Sequence, residues 1–203
     1  MLLQEKNNIT PEEYLSLERD SEIKNEYFAG EMYAMAGASR SHNKISTNIV
    51  RVLGNQLIEK PCSIFSSEMK VKIEAIKKYT YPDIVVVCGN EEYDDENNDI
   101  LLNPVVIIEI LSDSTEAYDR GDKFSHYQFI DSFAEYILIS QYFQKIEKFI
   151  RKKDNTWIYS KYEKTEDTIT IHSINCQLSL SDVYKDVNLS EYHMRRNQLK
   201  LKT

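Results

Sequence analysis

The sequence predicts a mixed α/β (α+β) domain, a sheet with helices on its faces, on three observations. The runs Ile84–Cys88 and Val105–Leu111 are almost continuously apolar, which marks strands buried on both faces. Between Ile45 and Leu57 the apolar residues Ile45, Ile49, Val52, Leu53 and Leu57 recur at helical spacing, so one helix face is buried. From Lys145 to Tyr184 short alternating stretches are separated by polar turns, the pattern of a β meander packed on the main sheet.

The elements follow in order. Thr10-Pro11-Glu12-Glu13 starts a helix that runs to about Arg19: threonine caps, proline takes the first helical position, and Glu13 closes a capping box. Ala29-Gly30 sits between Glu26-Tyr27-Phe28 and Glu31–Met35, which reads as a hairpin. Residues 37–41 form a loop, and Ser41 is expected to cap a helix over His42–Glu59. Pro61 ends it. Ser63–Ile73 alternates and reads as one strand, with Ser66, Glu68, Lys70 and Lys72 on its polar side. After the strand at 84–88, residues 89–99 carry six carboxylates and read as a solvated loop directed away from any substrate path. The strand at 104–111, a helix over Asp119–Ile130 and a strand at 135–139 complete the core. A single domain is expected over 1–203, with a core at about 10–187 and a basic tail at 188–203.

Composition narrows the function classes. With 203 residues, 41% hydrophobic and 29% charged, the chain suits one soluble globular domain without staples. The net charge of −8 is a poor match to nucleic acid unless a bound metal and a local basic patch supply the attraction. Lys145, Lys148, Arg151, Lys152 and Lys153 offer such a patch, or simply guard a sheet edge. Cys62, Cys88 and Cys176 are far apart in sequence and form no CxxC pair, so reduced thiols are expected. No signal pattern or membrane-length apolar run is present, so a cytoplasmic location is expected and no membrane partner.

The chemistry centres on two acids set in oily strands. Asp83 opens the run 84–88, and Glu109 interrupts 105–111. An ionised carboxylate is costly to bury unless it is paired, hydrogen-bonded or metal-bound. On neighbouring strands the two would repel each other, and a divalent cation such as Mg2+ (or Mn2+) removes that repulsion. Asp119, Lys123 and Tyr127 follow at i, i+4 and i+8 on one helix face. That spacing gives either a surface ion pair or a lysine aimed at the metal-bound water.

Pro82-Asp83 followed by Glu109-Ile110-Leu111 resembles the PD-(D/E)XK nuclease core, whose order is α-β-β-β-α-β. The wider set is more specific: Glu26-Tyr27, Gly30-Glu31, Ala34–Ser39, His42, Ser67–Val71, Tyr81-Pro82-Asp83, Glu109–Ser112, Ser114-Thr115, Asp119-Arg120, Lys123-Phe124, Tyr127 and Glu135-Tyr136. Together these resemble the bacterial Uma family of restriction-endonuclease-like proteins over about residues 10–187. The resemblance implies a metal-dependent nuclease fold with Asp83 and Glu109 as metal ligands and the Ile110 carbonyl as a third. It departs from the superfamily pattern at Leu111, where a lysine normally stands; Lys123 is the matching substitute and Lys70 the reserve. It departs again at Glu68, where aspartate is more usual.

Supporting residues carry two readings each. Glu31 is an exposed acid, or the additional acid that superfamily members draw from their N-terminal part. His42 opens a helix whose dipole favours neutral imidazole; it makes a local hydrogen bond, or holds a water or metal. Glu68 pairs with Lys70 in the strand, or walls the site. Tyr127 packs with its hydroxyl tethered. The leading expectation is a divalent-metal-dependent DNA endonuclease, with a homodimer as the expected assembly. The alternative is a catalytically inactive nucleic-acid- or protein-binding module that keeps the fold.

Overall fold

The computed structural model describes residues 8–189. The basic tail predicted at 188–203 therefore lies almost wholly outside the described residues. Helix α1 (Pro11–Arg19) starts as expected: the Thr10 hydroxyl accepts from the Glu13 amide, and the Glu13 carboxylate accepts from the Thr10 amide. Strands β1 (Asn25–Phe28) and β2 (Glu31–Ala34) form the hairpin. Its two-residue loop needs left-handed backbone at both positions, and Ala29 (φ 52°) and Gly30 (φ 85°) supply it.

Helix α2 spans Arg40–Leu57, and its cap is Ser39, not Ser41. The Ser39 hydroxyl accepts from the His42 amide at 3.1 Å. Ile45, Ile49, Leu53 and Leu57 are buried beneath it as the spacing predicts. Each such side chain, taken from water, contributes roughly 1.5–3 kcal/mol.

The predicted strand 63–73 is two strands. β3 (Cys62–Ser66) and β4 (Lys70–Ile73) belong to different sheets, because a turn at 67–69 redirects the chain. The alternation continues across the turn, so periodicity alone did not mark the break. β5 (Lys78–Thr80) and β7 (Ile100–Leu101) were not predicted; β7 closes the acidic loop by running parallel to β4.

The central sheet is six-stranded, in the order β11-β10-β9-β8-β6-β3. Its members are β3, β6 (Ile84–Cys88), β8 (Val106–Leu111), β9 (Glu135–Ser140), β10 (Ile146–Arg151) and β11 (Trp157–Tyr162). Strand β8 runs antiparallel to β6 and parallel to β9. The chain order α2, β3, β6, β8, helix, β9 is the expected α-β-β-β-α-β core. β2, β1, β5, β4 and β7 make a second sheet; β1 and β2 precede α2, and the other three are inserted between β3 and β8.

One face of the central sheet packs Ile84, Val86, Ile108 and Ile110 against α2 and against the ribbon β12 (Thr168–Ile171) and β13 (Cys176–Ser179). The other face packs Val85, Val87, Ile107 and Leu111 against Val71, Ile73 and Leu101 of the second sheet and against Tyr127 and Tyr136. Glu109 shares the parity of Ile107 and Leu111, so it points into this second layer.

The helix predicted over 119–130 has the expected length but begins and ends three residues earlier. It comprises α3 (Glu116–Tyr118), a π-helical turn (Asp119–Lys123) and α4 (Phe124–Tyr127). The Tyr136 hydroxyl donates to the Asp119 carbonyl at 2.9 Å, fixing the wide turn to β9.

Three further expectations are corrected. Cys62 and Cys88 face one another across β3 and β6, with Cα atoms 4.0 Å apart, and form a disulfide; only Cys176 is a free thiol among the described residues. Distance along the chain concealed their cross-strand register. The acidic loop is not merely solvated: Asp94 pairs with Lys72, Asp95 and Asp99 with Arg19, and Asp99 also with Lys70. The basic cluster at 145–153 is not a continuous free stripe. Lys148 is buried and donates to the Thr170 carbonyl, while Arg151 donates to the Ile130 carbonyl.

Candidate active site

The register of β6 on β8 sets Ile84 opposite Ile108, and so brings Asp83 opposite Glu109. Each carboxylate accepts from an amide of the facing segment. The Asp83 amide donates to Glu109 Oε2 at 3.3 Å, and the Ile110 amide donates to Asp83 Oδ2 at 2.7 Å. Each carboxylate thus serves as a backbone acceptor where the strands diverge.

The remaining oxygens are fixed from the helices. His42, in the first turn of α2, places Nε2 3.1 Å from Asp83 Oδ1. Its Nδ1 is buried without a hydrogen-bond partner. Glu109 Oε1 accepts from the Tyr127 hydroxyl and from Lys123 Nζ, both at 2.9 Å. Lys123 Nζ also lies 3.4 Å from Glu26 Oε1 and 3.7 Å from Asp119 Oδ1. Asp119 and Lys123 therefore do not form the surface pair that their spacing equally allowed; the residues are 4% and 5% exposed.

The electrostatics follow from this crowding. Burial pushes Glu109 up to about 8; Lys123 opposes the rise, while Asp119 and Asp83 add to it. Burial likewise raises Asp119 against the pull of Lys123. Burial would depress Lys123, but Glu109, Glu26, the Tyr127 phenol and Asp119 outweigh it and hold its ammonium charged. Glu26 stays below the usual glutamate range: burial pushes it up, but Lys123, the Thr80 hydroxyl and Lys78 prevail.

Asp83, Glu109, Lys123, Asp119, Glu26 and His42 line a cleft of about 1640 Å3. Drug-sized ligands occupy roughly 300–1,000 Å3, so the space suits a larger substrate. Its far wall is the small-residue segment 35–41 and the turn Ser112–Thr115. Gln141 bridges the two sides: its Nε2 donates to the Leu111 carbonyl at 3.1 Å, and its Oε1 accepts from the Ser39 hydroxyl.

The predicted site residues divide. Asp83, Glu109, Lys123, Asp119, Tyr127 and His42 come together. Lys70 does not join them; its ammonium lies 2.7 Å from Asp99, above the Tyr81 ring. Glu68 stands on the rim with its side chain 80% exposed, and pairs with Lys24 rather than Lys70 because the turn separates it from β4. Glu31 is absent from the cleft lining and accepts from the Tyr33 hydroxyl; the N-terminal acid in the site is Glu26. Glu26 and Glu31 occupy opposite strands of one hairpin, and sequence alone did not say which of them faces Thr80. The cleft residues Lys78, Tyr118 and His126 were also missed, because the strand containing Lys78 is only three residues long.

Among the described residues no group of three His, Cys, Asp or Glu side chains gathers as a metal cage. The donors that could hold an ion are Asp83 and Glu109. A pair of carboxylates held out of water, with Asp119 adding negative charge, suits a hard divalent cation that keeps waters as its other ligands. Among the described residues no helix is long and apolar enough to cross a membrane.

Comparison with known proteins places the family and the fold. The model of the Uma2 family, "Putative restriction endonuclease", matches residues 11–182. Two proteins of Synechocystis sp. are similar along most of their length. Uncharacterized protein slr1290 is 33% identical over 87% of this chain and 92% of its own. Uncharacterized protein sll1609 is 32% identical over 75% and 86%. A crystal structure of "a putative nuclease belonging to DUF820" from Anabaena variabilis superposes with a TM-score of 0.72 at 21% identity. It covers 87% of this chain and 97% of that one, and establishes the shared nuclease-like fold.

Proposed function

Because the chain belongs to the Uma2 family, we propose that it is a divalent-metal-dependent DNA endonuclease that hydrolyses phosphodiester bonds. The observation that carries this reading is the facing pair of Asp83 and Glu109, the first held by the Ile110 amide and the second by the Asp83 amide, with Lys123 2.9 Å from the second acid. Asp83, Glu109 and the Ile110 carbonyl would hold Mg2+ or Mn2+. When bound, the ion supplies Lewis acidity to the phosphate and lowers the pKa of a water.

The protein's own groups do the rest. In the reaction a water oxygen bonds to phosphorus and one P–O ester bond breaks, leaving a phosphate end and a hydroxyl end. Lys123 carries a fixed positive charge to the cleft, where it offsets the charge that grows on the phosphate oxygens. Tyr127 holds Glu109 Oε1 in place, and His42 and the Ile110 amide hold the two oxygens of Asp83. Glu109 Oε1 already accepts twice, but Glu109 Oε2 and both oxygens of Asp83 each have one protein partner, so a lone pair on each of these remains for an ion. The cleft lies on one side of the sheet, and cutting both strands of a duplex would call for a second copy, which is why a homodimer is part of the proposal.

One observation favours a second reading, a module that binds nucleic acid or protein without cutting. Both oxygens of Glu109 already accept from protein donors, and burial favours its protonated form. Supercoiled plasmid incubated with the protein and Mg2+ or Mn2+ separates the two. The nuclease reading expects nicking that Asp83→Ala abolishes. Intact plasmid with both metals overturns it in favour of the binding module.

A further inference from the structure

Lys78 is the buried cation of the cleft whose charge the chemistry above does not use. It lies on β5, in the middle of the second sheet, and is only 1% exposed. Other buried lysines have evident occupations: Lys70 pairs with Asp99, Lys123 with Glu109, and Lys148 caps the Thr170 carbonyl away from the cleft. The partners of the Lys78 ammonium are neutral ones on the cleft wall. It is hydrogen-bonded to the Tyr118 hydroxyl and lies 3.1 Å from His126 Nδ1. The rings of Tyr118 and Phe28 flank it at 4.8 and 5.2 Å, and Phe28 rests on His126 at 4.9 Å.

Among the described residues no carboxylate is ion-paired with this ammonium. Glu26 is the nearest acid by connection: its Oε2 accepts from the Tyr118 hydroxyl at 3.4 Å, while its Oε1 faces Lys123 and Thr80. Its charge is thus shared with Lys123. Asp122 is exposed on the rim. A buried cation with neutral neighbours is costly until an anion reaches it. Here the approach is open, since Phe28, Lys78, Tyr118 and His126 all line the same cleft as Asp83 and Glu109.

We propose that Lys78, Tyr118 and His126 form a second phosphate site, which takes a phosphate of the nucleic-acid strand other than the one cleaved. The inference rests on the nuclease reading for the identity of the strand. Tyr118 and Glu26 connect the two lysines, so one strand along the cleft meets Lys123 at the reacting phosphate and Lys78 at another. The ammonium is a donor suited to phosphate oxygens, the Tyr118 hydroxyl, whose one proton goes to Glu26, holds it at the cleft wall, and the Phe28 and Tyr118 rings give an adjacent base a face to stack on. The phosphate is either an internal diester or a terminal monoester, and the two are distinguished by experiment.

The test measures binding, not cutting. Fluorescence anisotropy follows fluorescein-labelled single-stranded DNA, with and without a 5′-phosphate, on the full chain in EDTA over a range of salt. Lys78→Met is expected to weaken binding about tenfold, the value of one charged hydrogen bond. It also lowers the slope of log Kd against log salt by about 0.7, one phosphate contact on a single strand. Lys78→Arg, which keeps the charge, retains the slope and shows that the site still folds. Loss confined to the 5′-phosphorylated strand assigns a terminal phosphate; equal loss on both assigns an internal one. Unchanged slope and affinity in Lys78→Met, or no binding by the wild-type chain, overturns the phosphate site. Plasmid nicking is scored separately, so a chain that binds through Lys78 but never nicks sinks the nuclease reading and leaves this one standing.

Discussion

The ammonium of Lys123 lies 2.9 Å from Oε1 of Glu109, while two residues beyond that glutamate the strand carries Leu111. The leucine joins the apolar layer with Val85 and Val87, and the charge comes from the π-turn of the covering helix. A wide turn fixed by Tyr136 lets one helix present Asp119, Lys123 and Tyr127 to the same strand. Lys123→Met should therefore lower the nicking rate by roughly 10²–10³, the effect of removing one preorganised donor. Lys70→Met should leave the nicking rate near wild type and lower the melting temperature, because it strips Asp99 of one of its two cationic partners. If Lys70→Met abolishes nicking and Lys123→Met does not, the assignment is reversed.

Metal binding has its own test. Isothermal calorimetry with Mn2+ should find a weak site in the wild-type chain that is missing from Asp83→Asn and from Glu109→Gln. Both substitutions keep the hydrogen-bond acceptor for the facing amide, so the β6–β8 contact survives. A site of equal affinity in both variants would place the ion elsewhere.

The legible part of the molecule was the part with local or periodic signals. The Thr10–Glu13 box, the Ala29-Gly30 turn, the α2 face and the two oily strands each announce themselves within a few residues. The facing of Asp83 and Glu109 was legible because a carboxylate within an apolar run is hard to explain without a neighbour. What escaped was set by register and tertiary contact. Nothing local separates Glu26 from Glu31, or reveals that Lys70 leans on Asp99, twenty-nine residues later. The strand β5 is too short for periodicity, so Lys78 went unseen although it stands in the cleft. The split at 67–69 was hidden because the residues on either side keep the same alternation.

The buried position of Lys78 predicts a pH effect on stability. Burial, helped by the nearby Lys123, lowers its ammonium to about 8 against the pull of Glu26, Asp122 and Glu109. In the unfolded chain lysine titrates near its ordinary value of about 10.4. Between the two the unfolded state binds more protons, so this residue's contribution to stability rises with pH across that window. Below about 8 its charged form is a fixed burden on the fold. Thermal melts of Lys78→Met should accordingly lie at or above wild type at neutral pH, and the gap should narrow as the pH rises towards 10. A gap constant across the window would mean the ammonium is solvated in the native state.

The disulfide gives the last prediction. Cys62 and Cys88 join β3 and β6 at the end of β6 remote from Asp83, with 26 residues of separation along the chain. The cross-link limits the unfolded chain more than the folded one, because the ladder already holds these strands together. A loop of that length corresponds to about 3.5 kcal/mol of stability. Alkylation of the denatured chain without reductant should modify Cys176 alone, and reduction beforehand should expose all three thiols. The melting temperature should fall on reduction, while nicking at low temperature persists, since Asp83 is anchored by His42 and the Ile110 amide at the other end of the strand. Labelling of all three cysteines without reductant would show that β3 and β6 are held by their hydrogen bonds and packing alone.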